Sequence, residues 1–315
     1  MIKETSSCAA IIVAFEDPGD LNEILGSVAA NRPGFIIVVD NSVDLANRAE
    51  NERIAKGFGA RYLPQSRNLG SAGGFALGMK LGYKEGAELV WLLDQDGLAA
   101  EDCLLKLLQN ARRGILCPAV EATLGGYPLP DFRCKLNFWG GIVPAGDMDR
   151  ISKIALAGTH GILIHRDVIE AIGFYDGKRF FVGGEDFDYS LRAANAGFDL
   201  WLIPDAKVFH PDLSRKSALS RTARFLRGIA RVTSRFTPQF LGFLRGNIKP
   251  EGCERRALMI KFNMSRLSGF RFFAAVVYSV IILFLLKLVG LDVRFWGTLK
   301  IYMSADSVKT EGVGS

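Results

Sequence analysis

The sequence is poor in the residues that build disulfide frameworks and metal clusters. Its five cysteines are scattered, odd in number and without a CxxC pair, which argues against a disulfide scaffold or a zinc site and suits a reducing compartment. It has only three histidines. His160 and His165 fall in an apolar stretch that reads as a strand, so their side chains are expected on opposite faces. No histidine cluster is predicted.

Long apolar segments are also scarce. The amino terminus is polar and does not resemble a signal peptide. The main apolar run is uninterrupted only over 272–286, shorter than the roughly 20 residues of a typical membrane span. It follows the basic stretch 215–271, in which only Glu251 and Glu254 oppose the positive charge. This predicts peripheral attachment of 272–291 to an anionic membrane surface, with spanning or an oligomer interface as alternatives. Nucleic acid is disfavoured because no recognition motif accompanies the charge.

The first two thirds of the chain alternates strand-like and helix-like segments. Continuous apolar runs over 8–15, 35–41 and 89–96 are typical of strands covered on both faces. Helical stripes separate them, which predicts an α/β fold with a mainly parallel sheet and helices on both faces. Farther along, 154–165 reads as a core strand with a bend at its glycines, and 183–197 as a helix with acidic residues at its start.

Carboxylates follow three of the predicted strands. Glu16 and Asp17 follow the first strand, Asp40 ends the second, and Asp94 and Asp96 come after the apolar run Leu-Val-Trp. The carboxyl ends of parallel strands share one edge, so these side chains are expected to converge. A carboxylate there could contact a ribose hydroxyl or hold Mg²⁺ or Mn²⁺ between phosphate oxygens.

The glycine-rich segment RNLGSAGG, 67–74, adds a positive charge, an amide and backbone that can approach a ligand, just before a predicted helix. It is not a GxGxxG motif, and no Walker lysine follows it. Each piece has an ordinary structural interpretation: DxD as a turn, Asp40 as a cap, and Glu185 with Asp186 as an acidic first helical turn. The order and spacing of the pieces carry the inference.

Taken in order, IIVAFED, VVDN, RNLGSAGG, LLDQD, GGEDFDYSLRAANAG and DAKVFH resemble the family 2 glycosyltransferases, which have the GT-A fold. The resemblance covers residues 8–212. DQD is similar to the motif of bacterial rhamnosyltransferases, and RNLG-x-AGG also occurs in galactofuranosyltransferase-like relatives. The resemblance implies a catalytic domain over 1–212, with a nucleotide-sugar-binding half (1–115) and an acceptor-binding half (116–212). A basic, apolar, helical, membrane-associated region over 213–315 would follow.

The resemblance also implies a role for each motif. Glu185 and Asp186 would be catalytic, with Asp186 as a general base already ionised at its ordinary pKa near 4. Asp96 and His210 would bind Mn²⁺ or Mg²⁺. The residues implied to border the donor are Ala14, Glu16, Asp40, Arg67, Asn68, Gly74 and Asp94. Trp139 and His160 are acceptor candidates, each with a structural alternative as a buried core residue.

The expected activity is metal-dependent, inverting transfer of a sugar from a nucleoside diphosphate to a hydroxyl of a lipid-linked or cell-surface glycan. dTDP-rhamnose is the favoured donor, with UDP-galactofuranose or another UDP-hexose as the alternative. The expected location is the cytoplasmic side of the inner membrane, with a possible homo-oligomer. A sugar nucleotidyltransferase would need a basic, glycine-rich loop where Glu16-Asp17-Pro18 stands. A membrane scaffold is disfavoured because the acidic residues are intact. Gly97 and Ala14-Phe15-Glu16 depart from the family pattern, which weakens the donor assignment.

Overall fold

The computed structural model describes residues 5–110, 112–129, 132–136, 142–145 and 149–211. Apart from 135–136 and 142–143, these residues belong to one compact unit. No described helix combines the length and hydropathy needed to cross a membrane. Trp139 and the tail 213–315, with its segment 272–291, lie outside the described residues. The division into halves at residue 115 stays a prediction.

Strands and helices alternate through the first hundred residues, as expected, and strands dominate afterwards. The described strands are β1 (Cys8–Ala14), β2 (Phe35–Asp40), β3 (Arg61–Pro64), β4 (Leu89–Asp94), β5 (Leu98–Ala99), β6 (Ile115–Ala122), β7 (Arg133–Leu136), β8 (Ile142–Pro144), β9 (Ser152–Ile154), β10 (Leu156–Ala157), β11 (Ile162–His165) and β12 (Leu200–His210). The described helices are α1 (Pro18–Ala30), α2 (Leu45–Gly57), α3 (Gly70–Lys84), α4 (Cys103–Gln109), α5 (Arg166–Ile172) and α6 (Glu185–Asn195).

The central sheet is mixed: the parallel strands that the sequence predicts are joined by antiparallel strands. Its strand order is β3-β2-β1-β4-β11-β6-β12-β5, with β9 also paired to β12. The pairs among β1 to β4 are parallel, as is β6 with β12. β11 runs antiparallel between β4 and β6, and β5 and β9 run antiparallel to β12. The β-α-β rhythm therefore describes only the amino-terminal half of the sheet.

The stretch 154–165 turns at its glycines, as predicted, but the turn separates different strands instead of bending one strand. The chain forms β9 and β10, turns at 158–161, and then enters the central sheet as β11. Gly161 has φ +75°, and a Cβ there would lie 2.6 Å from Val208 Cγ2, so only glycine fits this turn. Because Ile162 pairs with Leu92, the turn comes to lie beside the carboxyl end of β4.

Helix α3 is placed by glycines that let it lie close to the sheet. A Cβ at Gly78 would lie 2.3 Å from Ile11 Cγ2, and one at Gly82 would lie 3.1 Å from Ala9 Cβ. The opposite face of the sheet is covered by the apolar stripe of α1, which includes Leu21 and Ile24. Helices therefore cover both faces, as predicted, and the amino terminus of α3 lies at the edge where β1 and β4 end.

Candidate active site

A cavity of about 440 Å³ lies at the carboxyl ends of β1 and β4. Its polar wall is formed by Asn41, Asn68, Ser71, Asp94, Gln95 and Asp96. Its apolar wall includes Phe15, Phe181 and Val182, and these three side chains are exposed. A cleft that joins apolar surface to a few convergent polar groups is typical of a small-molecule site.

Of the residues implied to border the donor, Asn68 and Asp94 line this cavity. The others are not on its wall: Ala14, Glu16, Asp40, Arg67 and Gly74. Ala14 is fully buried in β1, and Arg67 is exposed beside Asn68 in the sequence. A Cβ at Gly74 would lie 2.7 Å from Val13 Cγ1, so this glycine serves close packing of α3 on β1.

The carboxylate of Asp40 accepts hydrogen bonds from other residues inside the fold. It is fully buried and accepts hydrogen bonds from Ser42 N (2.8 Å), Asn51 Nδ2 (3.1 Å) and Tyr62 Oη (2.5 Å). These bonds join the end of β2 to α2 and β3. The neighbouring Asn41, which the sequence did not single out, lines the cavity instead.

Glu16 stabilises a turn beside the cavity, although its own side chain is not on the cavity wall. It adopts φ +57°, a left-handed conformation that is uncommon for a residue with a side chain. Its carboxylate accepts hydrogen bonds from Val43 N (2.5 Å), Asp44 N (3.0 Å) and Asn47 Nδ2 (2.9 Å). These bonds, with that from Asn47 first, lower the pKa of Glu16. The turn is therefore fixed, and it presents backbone atoms of the flanking residues to the cavity.

Gln95 engages that backbone. Its Oε1 accepts a hydrogen bond from Phe15 N at 2.6 Å, and its Nε2 donates to the carbonyl of Asp17. The carboxamide of Gln95 thus pairs with one backbone donor, Phe15 N–H, and one backbone acceptor, the Asp17 carbonyl, and both residues line the cavity. Nothing in the sequence singles out Gln95 beyond its place between the two aspartates.

Glycines of 67–74 make close contact with another segment of the chain. Gly70 has φ +71°, and a Cβ there would lie 2.0 Å from Phe181 O. A Cβ at Gly177 would lie 2.7 Å from Gly73 Cα. The segment 177–181 therefore lies directly on the start of α3, and this contact carries Phe181 to the cavity wall.

The structure brings Asp96 and His210 together. β5 pairs with β12, with Leu98 opposite Phe209, so the turn after β4 meets the end of β12. His210 Nε2 lies 3.2 Å from Asp96 Oδ1, and His210 Nδ1 lies 2.9 Å from Pro211 O. A backbone carbonyl on one ring nitrogen fixes the ring and directs the other nitrogen, as is usual for a metal-binding histidine.

Electrostatics favour the ionised forms of this pair. Burial alone would raise the pKa of Asp96, but the hydrogen bond and charge of His210 outweigh it and lower that pKa. Burial alone would lower the pKa of His210, but Asp96 outweighs it and raises that pKa. Asp94 differs, because burial and the charge of Asp96 raise its pKa to about 7.

His160 lies in the turn 158–161 and joins this group. Its Nε2 lies 3.5 Å from Asp94 Oδ2, and its ring centroid lies 4.6 Å from that of His210. His165 instead caps α5, accepting a hydrogen bond from Asp167 N. The His160 side chain is only 12% exposed, and burial lowers its pKa. It therefore faces the metal motif rather than an open acceptor surface.

Glu185 and Asp186 begin α6 on the other side of the same turn. A Cβ at Gly158 would lie 2.8 Å from His160 Nδ1 and 3.5 Å from Asp186 Oδ2. Ser71 Oγ donates to Glu185 Oε1, which ties α6 to the start of α3. Burial and the charge of Glu185 raise the pKa of Asp186 to about 8. The expected ordinary pKa near 4 is therefore wrong.

The residues present fit a divalent cation that is shared with a substrate. Among the described residues there is no group of three or more His, Cys, Asp or Glu that could hold a metal ion. Asp96 and His210 nevertheless offer an ionised carboxylate and an oriented imidazole beside the cavity. Mg²⁺ and related cations are commonly held by one or two carboxylates together with substrate phosphates.

Fold and site together define the class of protein. The model of the glycosyltransferase-like family 2 matches residues 6–229, so the chain belongs to that family. It is a glycosyltransferase of the hexosyl-transferring kind. The resemblance read from the motifs is confirmed.

Two curated relatives are informative. The chain is 29% identical over 218 residues to the galactofuranosyltransferase GlfT1 of Mycobacterium tuberculosis, covering 66% of this chain and 71% of that protein. It is 23% identical over 209 residues to the dTDP-rhamnosyl transferase RfbF of Shigella flexneri, covering 65% of this chain and 69% of that protein.

Solved structures show the same fold. The structure of GalNAc-T7 with UDP, GalNAc and Mn²⁺ superposes with a TM-score of 0.52 at 17% identity, covering 65% of this chain and 43% of that chain. The structure of Staphylococcus aureus TarS superposes with a TM-score of 0.52 at 12% identity, covering 87% of this chain and 53% of that chain. The fold is therefore α/β and GT-A-like, with a mixed sheet.

Proposed function

We propose that the chain transfers a hexosyl group, with inversion, from a UDP- or dTDP-linked donor to a hydroxyl of a glycan, with Mn²⁺ or Mg²⁺ as cofactor. One observation carries this proposal: the turn at 158–160 contacts Asp94 of the metal motif through His160 and faces Asp186 at Gly158. A leaving-group site and a base are thus held on two sides of one rigid turn, as a displacement at a sugar carbon requires.

The contact of Gln95 supports a uracil or thymine base. Phe15 N–H and the Asp17 carbonyl are a donor and an acceptor that one carboxamide satisfies. The edge of uracil or thymine presents the same pair, a carbonyl beside an N–H group, and can therefore take the place of the carboxamide. We infer that the base displaces Gln95 and takes its two hydrogen bonds.

The sequence identities to two curated relatives support an order of preference for the proposed donor sugars. The DQD motif favours dTDP-rhamnose, but GlfT1, named as a galactofuranosyltransferase, is 29% identical and RfbF, named as a dTDP-rhamnosyl transferase, is 23% identical. We therefore place UDP-galactofuranose first and dTDP-rhamnose second. Phe15, Phe181 and Val182 give either donor an apolar wall.

Asp96 and His210 are the proposed metal ligands, with Asp94 beside them. A bound cation supplies Lewis-acid stabilisation of the charge that develops on the departing diphosphate. The 3.2 Å separation of Asp96 Oδ1 from His210 Nε2 and the fixed orientation of His210 support this assignment. His210 would coordinate the cation as the neutral imidazole, giving up its proton when the cation binds. GalNAc-T7 was solved with Mn²⁺, which is a precedent for the fold and not a measurement on this chain.

The proposed reaction is a single displacement. The acceptor oxygen forms a bond to C1 of the sugar while the bond from C1 to the diphosphate oxygen breaks, and the nucleoside diphosphate leaves with that electron pair. Asp186 accepts the proton of the acceptor hydroxyl, and Glu185 holds α6 against Ser71. The configuration at C1 inverts because attack and departure occur on opposite faces.

The acceptor remains a proposal drawn from the sequence. A lipid-linked or cell-surface glycan fits the basic and apolar segment 215–291, which would bring the catalytic domain to the cytoplasmic face of the inner membrane as a peripheral protein or oligomer. Trp139, the other acceptor candidate, lies with that segment outside the described residues. His160 faces Asp94, so we assign it to the donor side.

The first test is a thermal-shift panel with UDP, dTDP, GDP and CDP, each with and without Mn²⁺, on the wild-type chain and on Asp96→Asn. A ligand at about 100 times its Kd should stabilise the fold by roughly 2.7 kcal/mol. We expect a metal-dependent shift with UDP or dTDP that Asp96→Asn loses. Gln95→Ala is the matched variant that keeps both aspartates and should retain the shift. No metal-dependent shift with any nucleotide would refute the proposal.

A further inference from the structure

Arg133, at the start of β7, is a fully buried charged side chain. Its Nε donates to Pro118 O at 2.8 Å. Its Nη1 donates to Phe132 O at 2.9 Å and to Gly158 O at 3.0 Å, and its Nη2 donates to His160 O at 2.7 Å. One guanidinium thus joins the middle of β6, the start of β7 and the turn 158–160.

A buried arginine of this kind calls for an explanation. Removing a cation from water costs several kcal/mol, which is usually offset by a buried carboxylate. Within the described residues, every hydrogen bond of Arg133 goes to a backbone carbonyl. Arg192 offers a contrast, because it donates to the carbonyls of Ile172 and Phe174 and also pairs with Asp188 at 2.8 Å. Arg192 forms an ion pair, whereas Arg133 donates its hydrogen bonds to backbone carbonyls.

The backbone that Arg133 holds is the turn that separates the two halves of the site. The carbonyls of Gly158 and His160 lie at either end of the turn, so both ends are fixed by one rigid group. Between them, Thr159 Oγ1 lies 3.1 Å from the hydroxyl of Tyr175. The ring of Phe132 lies 4.0 Å, centroid to centroid, from that of His160. The turn is therefore held by its carbonyls, by a hydroxyl and by a ring.

The two faces of the turn lie beside residues with different proposed roles, Asp94 on the donor side and Asp186 as the base. On one face, His160 Nε2 lies 3.5 Å from Asp94 Oδ2. On the other, the space at Gly158 is so limited that a Cβ would lie 2.8 Å from His160 Nδ1 and 3.5 Å from Asp186 Oδ2. Movement of the turn would displace His160 and change the space beside Asp186 together. Misplacement of about 1 Å can cost a hundredfold in rate.

We propose that Arg133 is a positioning residue of the transfer reaction: its guanidinium fixes the turn 158–160, and through that turn it sets the distance between the donor side at Asp94 and the base at Asp186. This inference rests on the proposed function, because it assigns the two faces of the turn to donor and base. It assigns Arg133 no contact with substrate. The effect of Arg133 is expected on the chemical step more than on donor binding.

The test compares Arg133→Lys with Arg192→Lys. Lysine keeps the charge but has one nitrogen, which cannot reach all four carbonyls. Donor turnover (kcat and KM), the Kd of the preferred nucleoside diphosphate with Mn²⁺, and Tm are measured for wild type and both variants, with turnover well below each Tm. For Arg133→Lys we expect kcat to fall at least 10-fold with Kd within about 3-fold of wild type. For Arg192→Lys we expect a comparable loss of Tm with kcat within about 2-fold of wild type.

Two outcomes would overturn the inference: Arg133→Lys with kcat near wild type, or an equal loss of kcat in both lysine variants. If Arg133→Lys does not melt cooperatively, Tyr175→Phe is measured instead, because it removes the hydroxyl that contacts Thr159 in the same turn. A wild-type kcat in Tyr175→Phe would also overturn the inference. A wild-type chain that binds no nucleotide with metal refutes the proposed function. A wild-type chain that turns over donor while Arg133→Lys matches it refutes only the role of Arg133.

Discussion

Asp186 holds its carboxylate where ionisation is costly. Burial and Glu185 raise its pKa to about 8, and a general base works only when it is deprotonated. We therefore expect kcat to rise with pH, with a midpoint near 8. Glu185→Gln removes the neighbouring charge and should move the midpoint to lower pH, as measured from kcat between about pH 6 and 9.5. The exposed Glu170→Gln is the control and should leave the midpoint in place; an unmoved midpoint in Glu185→Gln would contradict the assignment.

The same residue links activity to stability. A carboxyl whose pKa is raised by folding stabilises the chain fully below its unfolded pKa near 4, and this contribution is lost as pH rises through the folded pKa of about 8. We expect Asp186→Asn to lose about 10²-fold or more in kcat, yet to unfold at higher urea than wild type at pH 8.5 and above. Urea unfolding at acid and alkaline pH measures this; a variant less stable than wild type at alkaline pH would show that Asp186 ionises without cost.

Gly158 is the residue at which added volume should matter most. A Cβ there would lie 2.8 Å from His160 Nδ1, so Gly158→Ala must displace the imidazole or the turn. We expect at least a 10-fold loss of kcat from Gly158→Ala. Gly97 follows the DQD motif, and a Cβ there meets nothing nearer than 3.6 Å. Gly97→Ala should therefore keep kcat within about 2-fold, and similar losses in both variants would refute the steric argument.

At the scale of elements, the contact between the segment 177–181 and the start of α3 can be tested by a pair of glycines. Gly70 and Gly86 both have positive φ, +71° and +85°, so alanine strains the backbone at either position by roughly 1 kcal/mol. A Cβ at Gly70 would lie 2.0 Å from Phe181 O, whereas one at Gly86 meets nothing within 4 Å. Urea unfolding should show a loss at least about 1 kcal/mol larger for Gly70→Ala than for Gly86→Ala. Equal losses would mean that the segment moves away freely.

The sequence predicts elements well where neighbours along the chain are also neighbours in the sheet. β1, β2 and β4, with their covering helices, follow from apolar runs and helical stripes. The antiparallel insertion of β11 does not, because the glycines of 154–165 indicate only a bend. The direction in which the chain continues depends on Gly161, where Val208 of a distant strand leaves no room for a Cβ. Composition cannot reveal a steric conflict with a residue that is forty or more positions away.

The same limit applies to the site. The motifs identified Asp94, Asp96, Asp186 and His210, which the structure gathers around one cavity and one turn. They assigned Asp40 to the ligand, although its carboxylate is used by Ser42, Asn51 and Tyr62. They missed Arg133, because an arginine in an otherwise unremarkable strand reads as a surface residue. Burial and hydrogen-bond partners are properties of the fold, so they could not be read from the chain alone.

At the scale of the molecule, the thiols report on the whole catalytic unit. Cys8, Cys103, Cys117 and Cys134 are buried, and burial raises the pKa of Cys8, Cys103 and Cys117. In a Cys253→Ser chain we expect no reaction with a thiol reagent until the unit unfolds, because the thiolate is the reactive form. All four thiols should then react at the urea concentration at which circular dichroism changes. Early reaction of one thiol would show that part of the sheet opens separately.

The pairing of β5 with β12 has a consequence for how the enzyme is made. Asp96 is synthesised in the first third of the chain, yet its partner His210 ends the last described strand, and the pair meets only when Leu98 and Phe209 lie side by side. On the ribosome, the amino-terminal strands can form long before that strand has left the exit tunnel. A nascent chain can therefore hold a sheet without the proposed metal site, so we expect catalytic competence only near the end of translation of the domain.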